Sequence, residues 1–502
     1  MANERPDTET LLEETKRNPK GVVDLVLALW DRSAELEKIQ AELEQRIRGF
    51  ERNSRNSSKP PSSDQNIPPK PKPKSQRKRS GKKPGGQPGH KGSTLEMVEN
   101  PDHIIEAKIE NGSRCEVCGE LLSSGACSDE ACEPEVRQVF ELPPIRYEVS
   151  EYRNERVVCT ACTHVNVAPF PEQVKARVQY GPNLKATAIY LGKYQLIPYE
   201  RLAELFNDIF QCPVSQGTLA NFVKTGGRHA GAAVEYIKAA IKESDTVHAD
   251  ETGCRVHGVR EWLHVASTAD YTAYLIHPKR GFEALQYFGI LEGFTGNLIH
   301  DYYSSYYKLL LCVHFQCVAH ILRELTYLYE EMDQEWAKDM KDLLLEAKDL
   351  RDRDNARLPD QRKVIGEITR NRIQERYADI VLAGYSINPE PEPIPGKRGK
   401  PKRGKALNLL IRFENQYEEI MGFFEYDYIP FDNNQAERDL RMMKTREKIS
   451  GTFRSDEHAQ AFCDIRSVIS TLKKQGRSVI RGIAEMLKNP SEMFQDVSKC
   501  AE

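Results

Sequence analysis

The chain has 502 residues, of which 39% are hydrophobic and 29% are charged, and its formal net charge is -3. This length predicts several domains, and the lack of an apolar run of 18 residues excludes a membrane-spanning helix. The polar N-terminus has no apolar signal core, so we expect a cytoplasmic protein without a membrane partner. In that compartment the 12 cysteines favour free thiols or metal ligands over disulfides.

Residues 1–52 are predicted to be a coiled-coil region. Its single long helix is expected over residues 20–52. Apolar side chains recur there every seven positions, at Val22, Leu29, Leu36, Leu43 and Phe50. A heptad stripe of this kind is typical of a coiled coil that joins two or more copies of a chain. An amphipathic helix that packs on its own chain is the alternative interpretation.

Residues 53–98 are rich in Ser, Pro, Lys and Gly and have few large apolar residues, so we predict a disordered basic linker. Residues 70–92 contain nine Lys or Arg and no acid, and residues 396–405 contain six more and no acid. Segregated basic charge favours local contacts with nucleic-acid phosphates. Flexible, solvated linkers fit each of the two runs nearly as well.

Two C-x-x-C pairs lie in residues 99–172, for which we predict a zinc ribbon: Cys115 with Cys118, and Cys159 with Cys162. Each pair supplies two thiolates on a tight loop, and two such loops complete a tetrahedral shell for a structural Zn²⁺. Between the pairs, Ile145, Tyr147 and Val149 alternate with polar residues, which predicts a strand. Cys127 and Cys132 could serve as alternative ligands.

Residues 173–244 are predicted to be helical. An amphipathic helix over 199–210 is followed by a break at 211–214, and Ser215 is placed to cap a second helix. A helix, a short turn and a capped second helix have the outline of a DNA-binding helix-turn-helix. Helical hairpins are also common in proteins that bind no DNA.

Residues 245–302 predict four strands, at 246–253, 261–268, 271–277 and 296–301, with a helix near 281–290 before the last strand. The first strand carries Asp250 and the fourth ends at Asp301. Residues 303–428 are expected to be a helical insertion that does not continue the sheet. Residues 429–480 are expected to complete the domain and to include a helix that Ser455 caps, with Asp456 in its first turn and its end at Lys474. Residues 481–502 are expected to form a C-terminal tail.

The segment from Pro430 to Arg441 begins with two asparagines, and either Asn433 or Asn434 could cap a helix that carries Glu437 in its first turns. Arg441 follows one turn later. Together with Asp250 and Asp301, Glu437 would form an oxygen-ligand site for two divalent cations such as Mg²⁺. A solvated helix with intrahelical ion pairs is the alternative for this segment alone.

These motifs resemble transposases of the insertion sequence 66 family from about residue 20 to 480. The most specific are Asn433-Asn434-Gln435-Ala436-Glu437-Arg438, Asn56-Ser57-Ser58-Lys59-Pro60-Pro61-Ser62-Ser63-Asp64 and Gly85-Gly86-Gln87-Pro88-Gly89-His90-Lys91-Gly92. The resemblance implies an RNase H-like α/β catalytic domain, parts 245–302 and 429–480, and a catalytic triad of Asp250, Asp301 and Glu437. It further implies Mg²⁺ or Mn²⁺ at the triad and a zinc-containing DNA-binding module.

Basic residues after Glu437 are the predicted DNA contacts: Arg438, Arg441, Lys444, Arg446, Lys448 and Arg454. The family usually has Arg-Lys-Asn near here, where this chain has Arg446, Glu447 and Lys448. A further family motif resembles the segment from Cys317 to Arg323. His320 and Arg323 could contact a metal or phosphate there, but we expect a hydrogen-bonded structural histidine.

The predicted architecture is thus a multidomain α+β protein with an N-terminal coiled coil, a zinc ribbon, a helix-turn-helix-like region and an interrupted catalytic domain. The implied function is DNA transposition, in which element ends and target DNA are bound, cut and joined by a nucleoid-associated prokaryotic protein. A homodimer or higher synaptic complex is expected, as is a possible accessory protein from the same element. The alternatives are a domesticated DNA-binding protein without strand transfer and a nuclease for branched DNA.

Overall fold

The structure is a computed structural model that describes residues 16–50, 95–110, 112–122, 135–357, 365–392, 401–490 and 493–494. Most of the predicted linker, the pair Cys127 and Cys132, and part of the second basic run lie outside the described residues. The chain divides into two units. One unit comprises residues 1–73, 151–206 and 213–502, and the other comprises residues 74–150 and 207–212.

The predicted N-terminal helix is confirmed as α1, which spans Pro19–Phe50. Three members of its apolar stripe are half-exposed or more: Leu29 at 58%, Leu36 at 60% and Leu43 at 50%. These leucines are therefore not covered by the described part of their own chain. The coiled coil itself stays a prediction.

The strand predicted at residues 145–149 is wrong, because residues 135–155 contain no strand. Ile145, Tyr147 and Val149 are exposed, and an extended segment without a pairing partner has no backbone hydrogen-bond ladder. The strands of this region are instead β1, Arg156–Val158, and β2, Val165–Val167, which pair antiparallel. They flank the second cysteine pair.

The helical region begins with α2 (Pro182–Ile189) and a π-helical segment (Tyr190–Tyr194). It continues with α3 (Tyr199–Phe210) and α4 (Gln216–Lys242). The predicted cap is confirmed, since the Thr218 backbone N–H donates to Ser215 Oγ at 3.1 Å. With 27 residues, α4 extends well beyond the second helix of a minimal helix-turn-helix. Its buried face includes Val223, Val234 and Ile237.

The central sheet has five strands in the order β5-β4-β3-β6-β7. They are β3, Thr246–Val256, β4, Val259–Ser267, β5, Thr272–His277, β6, Asn297–His300, and β7, Val313–Gln316. The first three pair antiparallel, whereas β6 is parallel to β3 and β7 is parallel to β6. His257 and Gly258 both have positive φ, as a two-residue hairpin turn between β3 and β4 requires. The helix α5, Phe282–Phe288, precedes β6.

The prediction that residues 303–428 do not continue the sheet is wrong, because β7 adds a fifth strand. Val313–Gln316 alternates apolar and polar residues, but so short a run also occurs in loops and helices, and only its pairing with β6 identifies it as a strand. The other regular elements described in this segment are helices, as predicted. The helices are α6, Val318–Met332, α7, Glu335–Arg357, α8, Glu367–Ile387, α9, Lys405–Asn415, and α10, Tyr417–Glu425. They enclose a core around Trp336, Tyr377 and Phe413.

Three helices complete the domain: α11, Asn434–Ser450, α12, Asp456–Lys474, and α13, Val479–Lys488. The bounds predicted for α12 are confirmed, and Ser455 Oγ caps it by accepting the His458 N–H. A Cβ at Gly227 would lie 2.5 Å from Ala461 Cβ, so α4 and α12 cross where only glycine fits. None of the helices in the described part of the chain is long and apolar enough for a membrane span.

The free edge of β5 is covered by α12 rather than left open. Ser467 Oγ accepts the Tyr274 N–H at 3.0 Å, and Thr471 Oγ1 accepts the Thr272 N–H at 3.1 Å. An uncovered edge strand is a template for pairing with another chain. Side chains of α12 satisfy these two donors and thereby close this edge of the sheet.

Candidate active site

Asp250 lies on β3, the middle strand of the sheet. Its Oδ1 accepts the Glu251 backbone N–H at 2.8 Å. Burial first, and then the negative charge of Glu251, raises the pKa of the Asp250 carboxyl well above its usual range. The charges of Asp301 and Glu437 add to the same effect. Asp250 is therefore within electrostatic reach of the other two predicted catalytic acids.

Asp301 follows β6 directly. His248 on β3 pairs in parallel with Ile299 on β6, so Asp250 and Asp301 each lie two residues beyond the same paired position of neighbouring strands. Its Oδ1 accepts the Tyr303 N–H at 3.2 Å. Burial, followed by the charge of Glu251, raises the pKa of Asp301 to about 6.

Glu437 lies in the first turn of α11. Its Oε1 is buried and has no hydrogen-bond partner. A buried carboxylate oxygen without a partner is costly unless a cation or donor occupies the space beside it. Carboxylate oxygens, one of them orphaned, are the donors that hard divalent cations require.

The side chain of Asn433 does not cap α11, although the residue occupies the capping position as predicted. Its Oδ1 is 2.8 Å from His248 Nδ1, and its Nδ2 donates to the Ala249 carbonyl at 2.8 Å. Asp432 Oδ1 accepts the Asn434 N–H instead. Asn433 thus ties the first turn of the Glu437 helix to β3, next to Asp250.

His320 lies beside Glu437, whereas the sequence led us to expect a hydrogen-bonded structural histidine. Its Nδ1 is 3.8 Å from Glu437 Oε1 and, like that oxygen, is buried without a partner. Cys317 Sγ completes a group whose ligand atoms all lie within 4.8 Å of one another. Burial, and then the charge of Arg323, lowers the pKa of His320 to about 4. The Cys-x-x-His spacing at the start of α6 was the sequence signal for this group.

Glu251 is a functional candidate that the sequence analysis passed over. Its carboxylate accepts the Tyr306 hydroxyl at 2.6 Å and the Arg280 Nε at 2.7 Å. The guanidinium of Arg280 lies 4.0 Å from the centre of the Tyr303 ring and 5.0 Å from that of Trp262. This buried carboxylate fixes Arg280 at the edge of the acidic site.

The six predicted DNA contacts fall into two groups. Four are exposed: Arg438, Arg441, Lys448 and Arg454. The other two are half-buried and have partners within the chain. Lys444 Nζ donates to the Gly253 carbonyl at 2.8 Å, and Arg446 lies 3.3 Å from the centre of the Phe453 ring. The exposed four are the ones free to meet a phosphate.

The loop that contains Cys115 and Cys118 forms a tight turn. The Gly119 N–H donates to the Cys115 carbonyl at 2.9 Å, and the Cys115 N–H donates to the Glu120 carbonyl at 2.8 Å. Gly119 has a φ of 74°. Backbone N–H donors, that of Cys118 first, lower the pKa of the Cys115 thiol.

The loop that contains Cys159 and Cys162 has the same hydrogen bonds. The Thr163 N–H donates to the Cys159 carbonyl at 2.9 Å, and the Cys159 N–H donates to the His164 carbonyl at 2.8 Å. Thr163 takes the left-handed position, with a φ of 60°. The Cys162 N–H is the main cause of a lowered Cys159 pKa. Each loop alone therefore favours one thiolate, the form that binds metal.

Comparison with protein families gives two matches. The model of a family described as "Transposase IS66 family" matches residues 177–461, more than half of the chain. A model described as a family of unknown function matches residues 5–96. A search of the curated proteins found no match.

Proposed function

This chain belongs to the IS66 family of transposases, and from that premise we propose that it cuts and joins DNA at the ends of a mobile element. The catalytic residues in this proposal are Asp250, Asp301 and Glu437. The observation that supports it is electrostatic: the charges of Asp301, after β6, and of Glu437, in the first turn of α11, both act on Asp250 on β3. The five-stranded sheet, with three antiparallel strands followed by two parallel ones, supports an RNase H-like catalytic domain.

The carboxylates would hold divalent cations, Mg²⁺ or Mn²⁺, through their oxygens. Such cations, when bound, activate a water or a DNA 3′-hydroxyl and stabilise the leaving oxygen of an in-line displacement at phosphorus. The chain itself contributes the fixed positions of the oxygens. Asp250 is set by its place on β3, and Glu437 is held to that strand through Asn433. No covalent protein–DNA intermediate is required.

The DNA would be bound outside the acidic site. Arg438 directly follows Glu437 and is exposed, as is Arg441, so both can bind phosphates near the scissile bond. The helices α3 and α4 and the basic linker would recognise the terminal inverted repeats. Binding that depends on phosphate contacts should weaken steeply as salt is raised.

The cysteine loops would supply thiolates to structural Zn²⁺ in a DNA-binding module. Their matching backbone hydrogen bonds support this role. The exposed leucines of α1 support a coiled coil that brings two copies together with two element ends. The proposal also includes an accessory protein encoded by the same element and a location at the prokaryotic nucleoid.

The decisive experiment is cleavage of a labelled duplex that carries the DNA flanking this gene, with Mg²⁺ and with Mn²⁺. Wild type should cut at the repeat boundary and Asp250→Asn should not, although it should still bind the duplex. Glu283→Gln is a suitable control, since Glu283 is an exposed acid on α5. Binding without cutting by wild type would favour a domesticated DNA-binding protein. Preference for branched junctions would favour a nuclease instead.

A further inference from the structure

We propose that Cys317, His320 and Glu437 form a mixed sulfur, nitrogen and oxygen site that binds a first-row transition cation such as Zn²⁺ in preference to Mg²⁺. This inference rests on the proposed function for the role of Glu437 and names the class of cation at that residue. It divides the catalytic centre into two chemically different cation sites.

The distance between the His320 and Glu437 side chains fits a cation bound by both better than a direct hydrogen bond between them. His320 Nδ1 and Glu437 Oε1 are 3.8 Å apart, which is too far for a hydrogen bond. Both atoms are buried and both lack a partner. Protein ligands about 2.0–2.3 Å from one cation lie roughly 3–4 Å from each other. The separation of these two orphaned atoms is therefore the one that a common cation would impose.

Cys317 is held in place by the element that carries Glu437. Its Sγ accepts the Asn433 backbone N–H at 3.1 Å, and the next N–H, that of Val318, donates to the Phe431 carbonyl at 3.1 Å. The start of α6 is thereby fixed against the start of α11. A hydrogen bond from a backbone N–H to a ligating sulfur is the outer contact that orients and stabilises a thiolate ligand.

The chemical types of the three ligand atoms determine which cation the site prefers. Mg²⁺ prefers oxygen ligands alone, whereas thiolate and imidazole favour Zn²⁺ and related transition ions. Three protein ligands with a fourth position free is the arrangement of catalytic zinc sites, and a phosphate oxygen can occupy the free position. Asp250 and Asp301 supply only oxygen and remain suited to Mg²⁺.

The test is a Co²⁺ titration of the full chain that follows the thiolate-to-cobalt absorption band. The C-x-x-C cysteines also bind Co²⁺, so the informative quantity is the difference between wild type and Cys317→Ser. We expect Cys317→Ser to lose the share of one thiolate from the band, and to lose Zn²⁺ affinity by about 100-fold in equilibrium dialysis. Cys312→Ser is the matched control, because Cys312 is also buried and its Sγ lies within 3.4 Å of the Leu309 carbonyl.

A second variant guards against misfolding of Cys317→Ser. His320→Gln should leave the thiolate in place and yet weaken Zn²⁺ binding, with an unchanged circular dichroism spectrum. Identical cobalt spectra and equal Zn²⁺ affinities in wild type and Cys317→Ser would overturn the proposed site.

The two proposals fail separately. If Cys317→Ser leaves the cobalt band unchanged while Mg²⁺-dependent cleavage still requires Asp250, the mixed site falls and the transposase proposal stands. If the band depends on Cys317 but wild type cuts no element end with any cation, the mixed site stands and the transposase proposal falls.

Discussion

The acids Asp250, Asp301 and Glu437 come from three separate elements and are half-buried, whereas each cysteine loop is built from consecutive residues and keeps one exposed thiol. In the acidic site the pKa of Asp250 is raised by burial and by neighbouring charge. In each loop the first cysteine has a lowered pKa because backbone N–H groups face its sulfur.

Under the proposed function, this difference gives two ways in which a chain can be prepared for a cation. The acidic site depends on the whole domain being folded, and without a counter-charge its members repel one another. A cysteine loop depends on about six residues and favours the thiolate before any metal binds. Changes at the acidic site should therefore affect chemistry, and changes in a loop should affect local order and DNA binding.

The largest expected effect separates the two regions directly. Asp250→Asn should reduce strand cleavage by about 10³-fold or more, because a lost cation ligand costs several kcal/mol of transition-state stabilisation. Cys118→Ser should instead weaken DNA binding. Cleavage rates at saturating protein and dissociation constants from gel shifts measure both quantities. Equal losses of cleavage at saturation in the two variants would contradict the separation.

Asn433→Ala tests how far the acidic site depends on tertiary contacts. The variant leaves the Ala249 carbonyl and His248 Nδ1 without their partner, so the free energy of unfolding should fall by about 2–3 kcal/mol. Urea denaturation measures the change. Asn434→Ala, one residue further on, keeps both bonds and should be close to wild type; a similar loss in both would show that the bridge is unimportant.

Glu251→Gln tests how much the negative charge of Glu251 contributes to the stability of the domain. Arg280 loses its charged partner, but its side chain is 37% exposed, so solvent screens most of the ion pair. We expect a loss of about 1 kcal/mol in the free energy of unfolding, since the Tyr306 hydroxyl can still donate to the amide. Thermal melting of the metal-free protein measures it. Increased stability in Glu251→Gln would mean that repulsion with Asp250 outweighs the Arg280 contact.

The smallest effects are expected in the loops. Gly119 has a φ of 74°, so Gly119→Ala should cost about 1 kcal/mol and weaken Zn²⁺ binding roughly fivefold. Thr163 holds the corresponding position with a φ of 60°, so Thr163→Gly should act in the opposite direction. Competition with a chromogenic chelator measures both affinities. Changes of the same sign would show that the two loops are not equivalent.

Local signals made much of the fold predictable. Ser215 and Ser455 were identifiable as caps because a cap depends on neighbouring residues. The strands with Asp250 and Asp301 were visible as apolar runs that end in an acid. The short strand β7 and the failed strand at 145–149 show the limit, since strand formation depends on a partner that the local sequence does not specify.

The contacts of the site residues were predictable only in part, because they depend on how distant segments of the chain pack together. The side chain of Asn433 bonds to β3 instead of its own helix, which no local rule distinguishes. His320 meets Glu437 only because the starts of α6 and α11 adjoin, at Val318 and Phe431. Glu251 follows a predicted catalytic acid, and only the positions of Arg280 and Tyr306 reveal its role.

The helical insertion also affects the time at which the acidic site can form. Between Asp301 and Glu437 lie 135 residues, most of them in α6–α10. At a synthesis rate of about 5–20 residues per second, Glu437 leaves the ribosome roughly 7 to 27 seconds after Asp301. During that interval the nascent chain has two acids of the triad and lacks the third. Under the proposed mechanism, a nascent chain therefore cannot cut DNA until Glu437 has left the ribosome.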